Sequence, residues 1–496
     1  MLYTSTRDSG VEATSAQAIA QGISREGGLF VPEAVPSLNL FEIKSLAEMQ
    51  YIGRAEYILS KFLTAEGGWE RDELPECVRK AYAGRFSAAA APVKPLGGGD
   101  YVLELFHGPT CAFKDMALQL LPQLLTASAK KIQGGGAGEI VILTATSGDT
   151  GKAALEGFRD VPGTKIVVFY PNEGVSAVQK RQMATQEGGN VRVVAVNGNF
   201  DDTQNGVKAI FTDSAILERM AARGQAFSSA NSINWGRLAP QIVYYVSAYC
   251  DLVNRKAVAP GEHVHFAVPT GNFGNILAGY YAKAMGLPVG KLLCASNRNR
   301  ILTDFFETGV YDRKRPFYST SSPSMDILIS SNLERLLWLA SRGDSGLVSL
   351  WMRRLAREGR YEIPRALRET LRMHFDAGCC DEEQTAAAIR KTYQDRDYLA
   401  DTHTACALHV LEEWRARTGD TAPCVVAATA SPFKFAADVL RAVTGRPAPE
   451  DEFAALSALE TETGMPCPAP LAGLEDKPVR FTEVCEKGDM AKYVDR

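Results

Sequence analysis

The sequence predicts an α/β protein built on doubly wound parallel sheets, and three observations carry that expectation. Short β-branched runs alternate with helical stretches through most of the chain. Apart from Arg192 and His265, the runs are apolar rather than alternating, as expected of strands covered on both faces. Glycine-rich turns follow several of them and open helices, and ligands collect beyond such strand ends. The strands read as Ile140 to Leu143, Ile166 to Phe169, Val191 to Val196, Val264 to Val268, Leu292 to Ala295 and Val425 to Ala428, with a long helix from Ala239 to Val253.

In chain order, residues 1 to about 90 read as a helix-rich N-terminal unit ending in the small-residue linker Ser87-Ala88-Ala89-Ala90-Ala91-Pro92. A core from 91 to about 445 follows. Inside it, Gln133-Gly134-Gly135-Gly136-Ala137-Gly138 is a flexible connector by composition. Between about Asn299 and Asp401 the strands are expected to disappear in favour of helices at Leu333 to Arg342, Ser349 to Arg357 and Pro364 to Phe375. The tail, 446–496, carries Pro447, Pro449, Pro466, Pro468 and Pro470 and reads as a surface wrap.

With 46% hydrophobic and 23% charged residues in 496, the chain can build two or three sizeable cores. A net charge of only −4 predicts no nucleic-acid and no membrane-surface partner, and no run is long and apolar enough to span a bilayer. The start Met1-Leu2-Tyr3-Thr4 lacks a basic stretch followed by an apolar one, so a cytoplasmic location is the expectation. Ten cysteines without a C-x-x-C pair predict reduced thiols and no structural metal. Cys379 and Cys380 are adjacent, and His403, Cys406 and His409 stand at helical spacing, so they read as packing residues rather than ligands. Cys111 has no identifiable base beside it.

Chemistry gathers in three glycine-bearing segments. His107-Gly108-Pro109-Thr110-Cys111-Ala112-Phe113-Lys114-Asp115 is a broken loop that delivers Lys114 to a helix with Met116, Leu118, Leu120 and Leu121. Desolvation there lowers the pKa of an ammonium and leaves a neutral amine able to condense with an aldehyde cofactor. Alone, such a lysine is more often a solvated snorkeller. Gly271-Asn272-Phe273-Gly274-Asn275 lies between a strand and a helix, where consecutive N–H groups and the helix dipole favour a phosphate, unless it is a plain connector. Thr144-Ala145-Thr146-Ser147-Gly148-Asp149-Thr150-Gly151 also joins strand to helix and suits an anionic substrate. It is not a nucleotide P-loop, because only two residues separate its glycines and Ala153 follows Lys152.

Together these segments resemble the threonine synthases, in their longer microbial and fungal branch. Tyr3-Thr4-Ser5-Thr6-Arg7 and Glu26-Gly27-Gly28-Leu29-Phe30-Val31-Pro32 are similar to the N-terminal signature of that family, and Asn231-Ser232-Ile233-Asn234-Trp235-Gly236-Arg237 to its substrate-phosphate segment. The resemblance implies a pyridoxal 5'-phosphate (PLP) enzyme of fold type II, with two sheet-bearing lobes and a helical insertion, making L-threonine from O-phospho-L-homoserine. It implies the cofactor phosphate on Gly271, Asn272, Phe273, Gly274 and Asn275, Lys114 as cofactor link and base, and Thr429 facing the pyridine nitrogen. From the residues alone, Thr429 reads as the N-cap of a helix starting near Phe433. Arg237, with Ser232 and Asn234 as neutral donors, is the candidate substrate-phosphate site, and Lys152 could add charge. Ser147, Gly148 and Thr150 are candidates for the substrate carboxylate. Asp149 stands where related enzymes of this fold carry asparagine near the cofactor's phenolic oxygen, so it needs a shared proton or another orientation. His107 reads as a hydrogen-bonded loop residue that could also frame the site. A dehydratase would have no use for the Arg237 segment, whereas a phospholyase would keep it. A monomer or small homo-oligomer is expected.

Overall fold

In the computed structural model, which describes residues 1–494 apart from 65–68, 71, 87–88, 133–137, 147 and 174, the apolar runs pair into two sheets. The larger is ordered Phe375–Cys379, Val289–Ser296, Val264–Pro269, Cys424–Ala428, Asp100–Glu104, Val93–Gly97, parallel except for the last pair. The smaller is ordered Val484–Glu486, Val191–Asn197, Thr164–Pro171, Glu139–Ala145, Gln225–Ser228 and is parallel throughout. All six strands read from the sequence are present. The two-lobed α/β architecture is therefore the one expected.

Two expectations are corrected, for the segment after Asn299 and for the tail. Strands do not disappear after Asn299: Val310–Asp312 pairs with Arg360–Glu362, and Phe375–Cys379 lies at the edge of the larger sheet beside Val289–Ser296. The segment Phe-Asp-Ala-Gly-Cys has no β-branched residue, and its extended form is imposed by the neighbouring strand. The helix before it accordingly runs Arg365–His374 and stops ahead of the buried Phe375. The N-terminal unit is helix-rich as expected, with helices Ser15–Gln21, Leu40–Ala47, Tyr51–Leu63 and Glu73–Tyr82, and it also carries an antiparallel sheet of Asp8–Thr14, Leu2–Ser5 and Phe30–Pro32. The tail does more than wrap, because Val484–Glu486 completes one edge of the smaller sheet. The glycine connector at 133–137 and linker residues Ser87 and Ala88 lie outside the described residues.

The helix Trp235–Asn254 runs through the centre, with nearly every residue buried, and it joins the lobes to the N-terminal unit. Trp235 meets Tyr3 and Tyr281 edge to face, at ring separations of 5.5 and 5.3 Å. The Tyr3 hydroxyl donates to the Phe62 carbonyl at 2.8 Å. Such aromatic contacts bury large areas in fixed geometry, which sets where this helix begins. No helix among the described residues is long and apolar enough to cross a membrane.

Candidate active site

Lys114 is aimed by a loop that is pinned at both ends. Asp115, fully buried, accepts from the Thr110 N–H at 2.8 Å and from the Thr110 hydroxyl at 2.7 Å. A Cβ on Gly108 would stand 2.5 Å from that carboxylate, so only glycine fits the crossing. The loop is also stitched to the end of the strand Cys424–Ala428, with Phe113 N–H donating to the Thr429 carbonyl at 2.8 Å and Ser431 N–H to the Cys111 carbonyl at 3.0 Å. Lys114 follows directly, at the start of the one-turn helix Asp115–Leu118. Its Nζ lies 3.0 Å from Ser324 Oγ and 3.5 Å from Asp149 Oδ2. Burial pushes the Lys114 pKa below its ordinary 10.5, Asp149 opposes that shift, and the charges of Lys434 and Arg237 reinforce it. Burial pushes the Cys111 thiol up to about 12, which removes it as a nucleophile.

The second glycine turn presents a run of backbone donors. Among the described residues, none of the N–H groups of Gly271, Asn272, Phe273, Gly274 and Asn275 donates to a protein acceptor. Phe273 takes a left-handed conformation (φ 64°) and starts the twelve-residue helix Gly274–Met285, so the N–H groups converge at a positive helix end. The carbonyls point the other way: Gly271 O accepts from Ser330 Oγ at 2.7 Å, and Asn272 O from Asn332 N at 3.1 Å. The side chain of Asn275 accepts from Tyr244 and Tyr245 hydroxyls at 2.6 and 2.8 Å, leaving its buried amide nitrogen without a partner. A phosphate supplies the acceptors these donors lack, so the residues fit the group. A Cβ on Gly271 would fall far inside contact distance of the Ser324 carbonyl. Gly271→Ala is therefore expected to lower stability by about 1–3 kcal/mol and to weaken PLP binding, checked by thermal unfolding and by absorbance titration with the cofactor.

The third segment holds a buried charge network. Gly148 has φ 149°, and a Cβ there would lie 2.5 Å from the Gln179 side chain. Thr146 Oγ1 accepts from the N–H groups of Gly148 and Gly151 at 3.0 and 2.9 Å and shapes the turn. Asp149 then opens the helix Asp149–Phe158, with Thr150 half-buried beside it, while Ser147 lies outside the described residues. Asp149 Oδ1 is 2.7 Å from Nζ of Lys434 and accepts from Gln179 Nε2 at 3.0 Å, and Oδ2 faces Lys114. Although burial acts against it, the ammonium groups of Lys434 and Lys114 hold the Asp149 carboxyl well below its usual range. Its orientation is thereby explained: the carboxylate is neutralised from behind by a fully buried lysine. Lys152 turns away from this site, to Glu156 and Gln186.

Arg237 is buried, donates to the Ala230 carbonyl, and keeps a buried Nε without a partner. No carboxylate pairs with it among the described residues, and burial lowers its pKa to about 10. A desolvated guanidinium in this state is a receptor for an anion. Asn234 is held by two bonds of its own side chain. Its Oδ1 caps the central helix at Gly236 N–H (2.8 Å) and its amide donates to the Ile19 carbonyl (2.9 Å), so it fixes the turn that carries Arg237. Ser232 is half-buried two residues earlier, its carbonyl accepting from Asn332 Nδ2 at 3.2 Å. Thr429 is not a helix cap, because Ser431 accepts from Phe433 N–H in that role. It is buried, one residue beyond the sheet, and its carbonyl holds the Lys114 loop. The His107 ring is joined to Glu104 at 2.8 Å.

Four residues at the site were not read from the sequence: Ser324, His403, Asp401 and Lys434. His403 is a correction, since it is not merely packing. Its Nε2 accepts from Ser324 N–H at 3.2 Å and its Nδ1 meets Asp401 Oδ1 at 3.0 Å. The pattern Asp401-Thr402-His403-Thr404 marks a helix N-cap, but nothing local connects it to Ser324, which is far away in sequence.

A buried lysine and an open N–H turn lie beyond the strand ends of the two sheets, and the family model described as "Pyridoxal-phosphate dependent enzyme" matches residues 92–363, which makes this chain a PLP-dependent enzyme. Models for the threonine synthase N terminus and C-terminal region match residues 2–82 and 404–494. The chain belongs to the threonine synthase family. It is 39% identical over 447 residues to the threonine synthase of Pseudomonas aeruginosa, covering 90% of this chain and 91% of that protein. It is 42% identical over 436 residues to the human protein Threonine synthase-like 1, covering 86% of this chain but only 58% of that longer protein. The crystal structure of PLP-bound threonine synthase from Brucella melitensis superposes with a TM-score of 0.87 at 38% identity, covering 100% of this chain and 99% of that one.

Proposed function

We propose that this protein converts O-phospho-L-homoserine and water into L-threonine and phosphate, with PLP held on the Gly271–Asn275 turn and linked to Lys114. The observation that carries this reading is the pairing of two anion receptors around one lysine. The open turn is suited to the cofactor phosphate, and the unpaired guanidinium of Arg237 to the phosphate of the substrate. A dehydratase acting on an unphosphorylated amino acid would leave Arg237 buried and unsatisfied.

Bound in this site, PLP supplies an electron sink for negative charge developing at the α- and β-carbons of the amino acid. With the cofactor bound, Lys114 would take the α-proton and then a β-proton, whose electron pair at Cβ expels the γ-phosphate. A proton delivered to Cγ makes the methyl group, water adds its hydroxyl at Cβ, and Lys114 returns a proton to Cα. Arg237 grips the phosphate through departure of the γ-oxygen, with Ser232 as a neutral donor. Gly148 and Thr150, with Ser147, receive the substrate carboxylate at the helix start. Asp149, held ionised by Lys434, steadies the Lys114 amine when it carries a proton. Thr429 offers the ring nitrogen a hydroxyl, which does not enforce protonation as a carboxylate does.

The test is stoichiometry: purified protein with PLP and O-phospho-L-homoserine should yield threonine and phosphate in equal amounts. Phosphate with a keto acid would make it a phospholyase, and no turnover would reject the reading. A pH profile adds a second check. Lys114 works as the neutral amine, so activity rises as pH climbs through its lowered pKa. Asp149 favours the ammonium form, so Asp149→Asn should move the acid limb of kcat to lower pH.

The same reading divides the chain into an N-terminal unit (1–90), a catalytic core (91–445, with 299–401 as its insertion) and a tail (446–496). We place the enzyme in the cytoplasm, as a monomer or small homo-oligomer. All ten cysteines are free and most are buried, which suits a reducing compartment.

A further inference from the structure

The residues around Lys114 Nζ include one hydroxyl that the mechanism above does not use. Ser324 lies in the short 3-10 turn Pro323–Met325, within the insertion, and its Oγ accepts from Lys114 Nζ at 3.0 Å. The turn is rigidly held. Asp326 accepts from Thr320 N–H at 3.0 Å, from Thr320 Oγ1 at 2.7 Å and from Asn297 Nδ2 at 2.7 Å, while the Thr402 hydroxyl donates to the Ser321 carbonyl at 2.7 Å. The Ser324 N–H itself donates to His403 Nε2. That bond needs the Nε2 lone pair, so the imidazole proton sits on Nδ1 and is donated to Asp401 Oδ1. Asp401 is fixed in turn by His403 N–H at 2.8 Å and by the Thr404 hydroxyl. All three side-chain anchors are buried: Asp401, His403 and Thr404. An ordered series thus runs from Asp401 through His403 to the backbone of Ser324, and from the Ser324 hydroxyl to the reacting nitrogen.

We infer that Ser324 is a catalytic hydroxyl that receives the Lys114 amine whenever an amino acid displaces it from the cofactor, with His403 and Asp401 as positioning residues that hold Ser324 in place. The amine has to leave its cofactor position, stay near the α- and β-carbons, and return. A hydroxyl on a rigid turn gives it a defined resting point. The charged groups facing the same nitrogen, Asp149, Lys434 and Arg237, act by field, whereas Ser324 also fixes direction. The inference rests on the proposed PLP chemistry of this site.

The test uses holoenzyme and L-threonine, whose binding displaces the lysine and changes the absorbance of the cofactor. Ser324→Ala should weaken the spectroscopic threonine Kd roughly tenfold and lower kcat more than it changes KM. His403→Leu should reproduce both changes. His403→Gln, whose amide oxygen can occupy the Nε2 position and accept from Ser324 N–H, should recover most of the loss. Thermal unfolding of each holoenzyme shows whether it is folded. A Ser324→Ala enzyme that titrates and turns over as the wild type does would overturn the catalytic role. A His403→Leu enzyme indistinguishable from wild type would overturn the positioning role. A wild type with no cofactor band, or no spectral response to threonine, would instead reject the PLP reading itself, and this inference with it.

Discussion

Lys114→Ala should lower threonine formation by roughly 10⁴-fold or more and abolish the absorbance of the lysine-linked cofactor. The size of the effect follows from the absence of a substitute. The other ammonium near the site, Lys434, is held at 2.7 Å by Asp149 and donates to the Thr110 carbonyl at 3.0 Å, so it has no freedom to reach the substrate carbons. The variant should stay folded, since the Thr110–Asp115 bonds and the stitching to Thr429 and Ser431 that shape the loop do not involve the Lys114 side chain. A product assay beside an absorbance spectrum decides the matter. Retention of activity within tenfold of wild type would return Lys114 to an ordinary helix lysine.

Lys434→Met should be the most damaging of the substitutions to stability, by about 3–5 kcal/mol. It would leave the Asp149 carboxylate buried with only Lys114 at 3.5 Å and the Gln179 amide for support. The double variant Asp149→Asn/Lys434→Met should recover a large part of that loss, because the uncompensated charge is gone. Urea unfolding of the two single variants and the double one measures the coupling, and additive losses would show that Lys434 does not act through Asp149. The pair also has a pH signature. The Asp149 carboxyl is depressed below its ordinary 3.8, so its contribution to stability is complete above that value and fades as the solution is acidified through and below it. The difference in stability between the wild type and Asp149→Asn should shrink accordingly in acid.

Much of this architecture is legible in the chain because its signals are local. The strands Val264–Pro269 and Cys424–Ala428 are buried on both faces and apolar but for His265, and Gly271 and Gly274 follow the first at the point where a helix begins. Lys114 stands out because a glycine- and proline-broken loop leads into an apolar helix. The strands that escaped sequence reading are those whose extension depends on a neighbour. Phe375–Cys379 borrows its shape from Val289–Ser296, and Val484–Glu486 from Val191–Asn197 at the far end of the chain.

By itself, the sequence determined the fold class and singled out Lys114 and the Gly271–Asn275 turn as candidates, because these follow from residue types acting on their own backbone within a few positions, while Arg237 was marked by the resemblance of its segment. Only the tertiary structure decided what surrounds the lysine nitrogen. Ser324, Lys434 and the Asp401–His403 pair come from segments 210 or more positions away from Lys114, and each joins the site through burial of polar groups that had to find partners once water was excluded. Asn234 shows the same division. Its residue type suits a donor to a ligand, and the packing of the central helix against Ile19 also makes it a cap. Local patterns record what a segment can do, and the competition among buried groups for hydrogen bonds and counter-charges settles what it does.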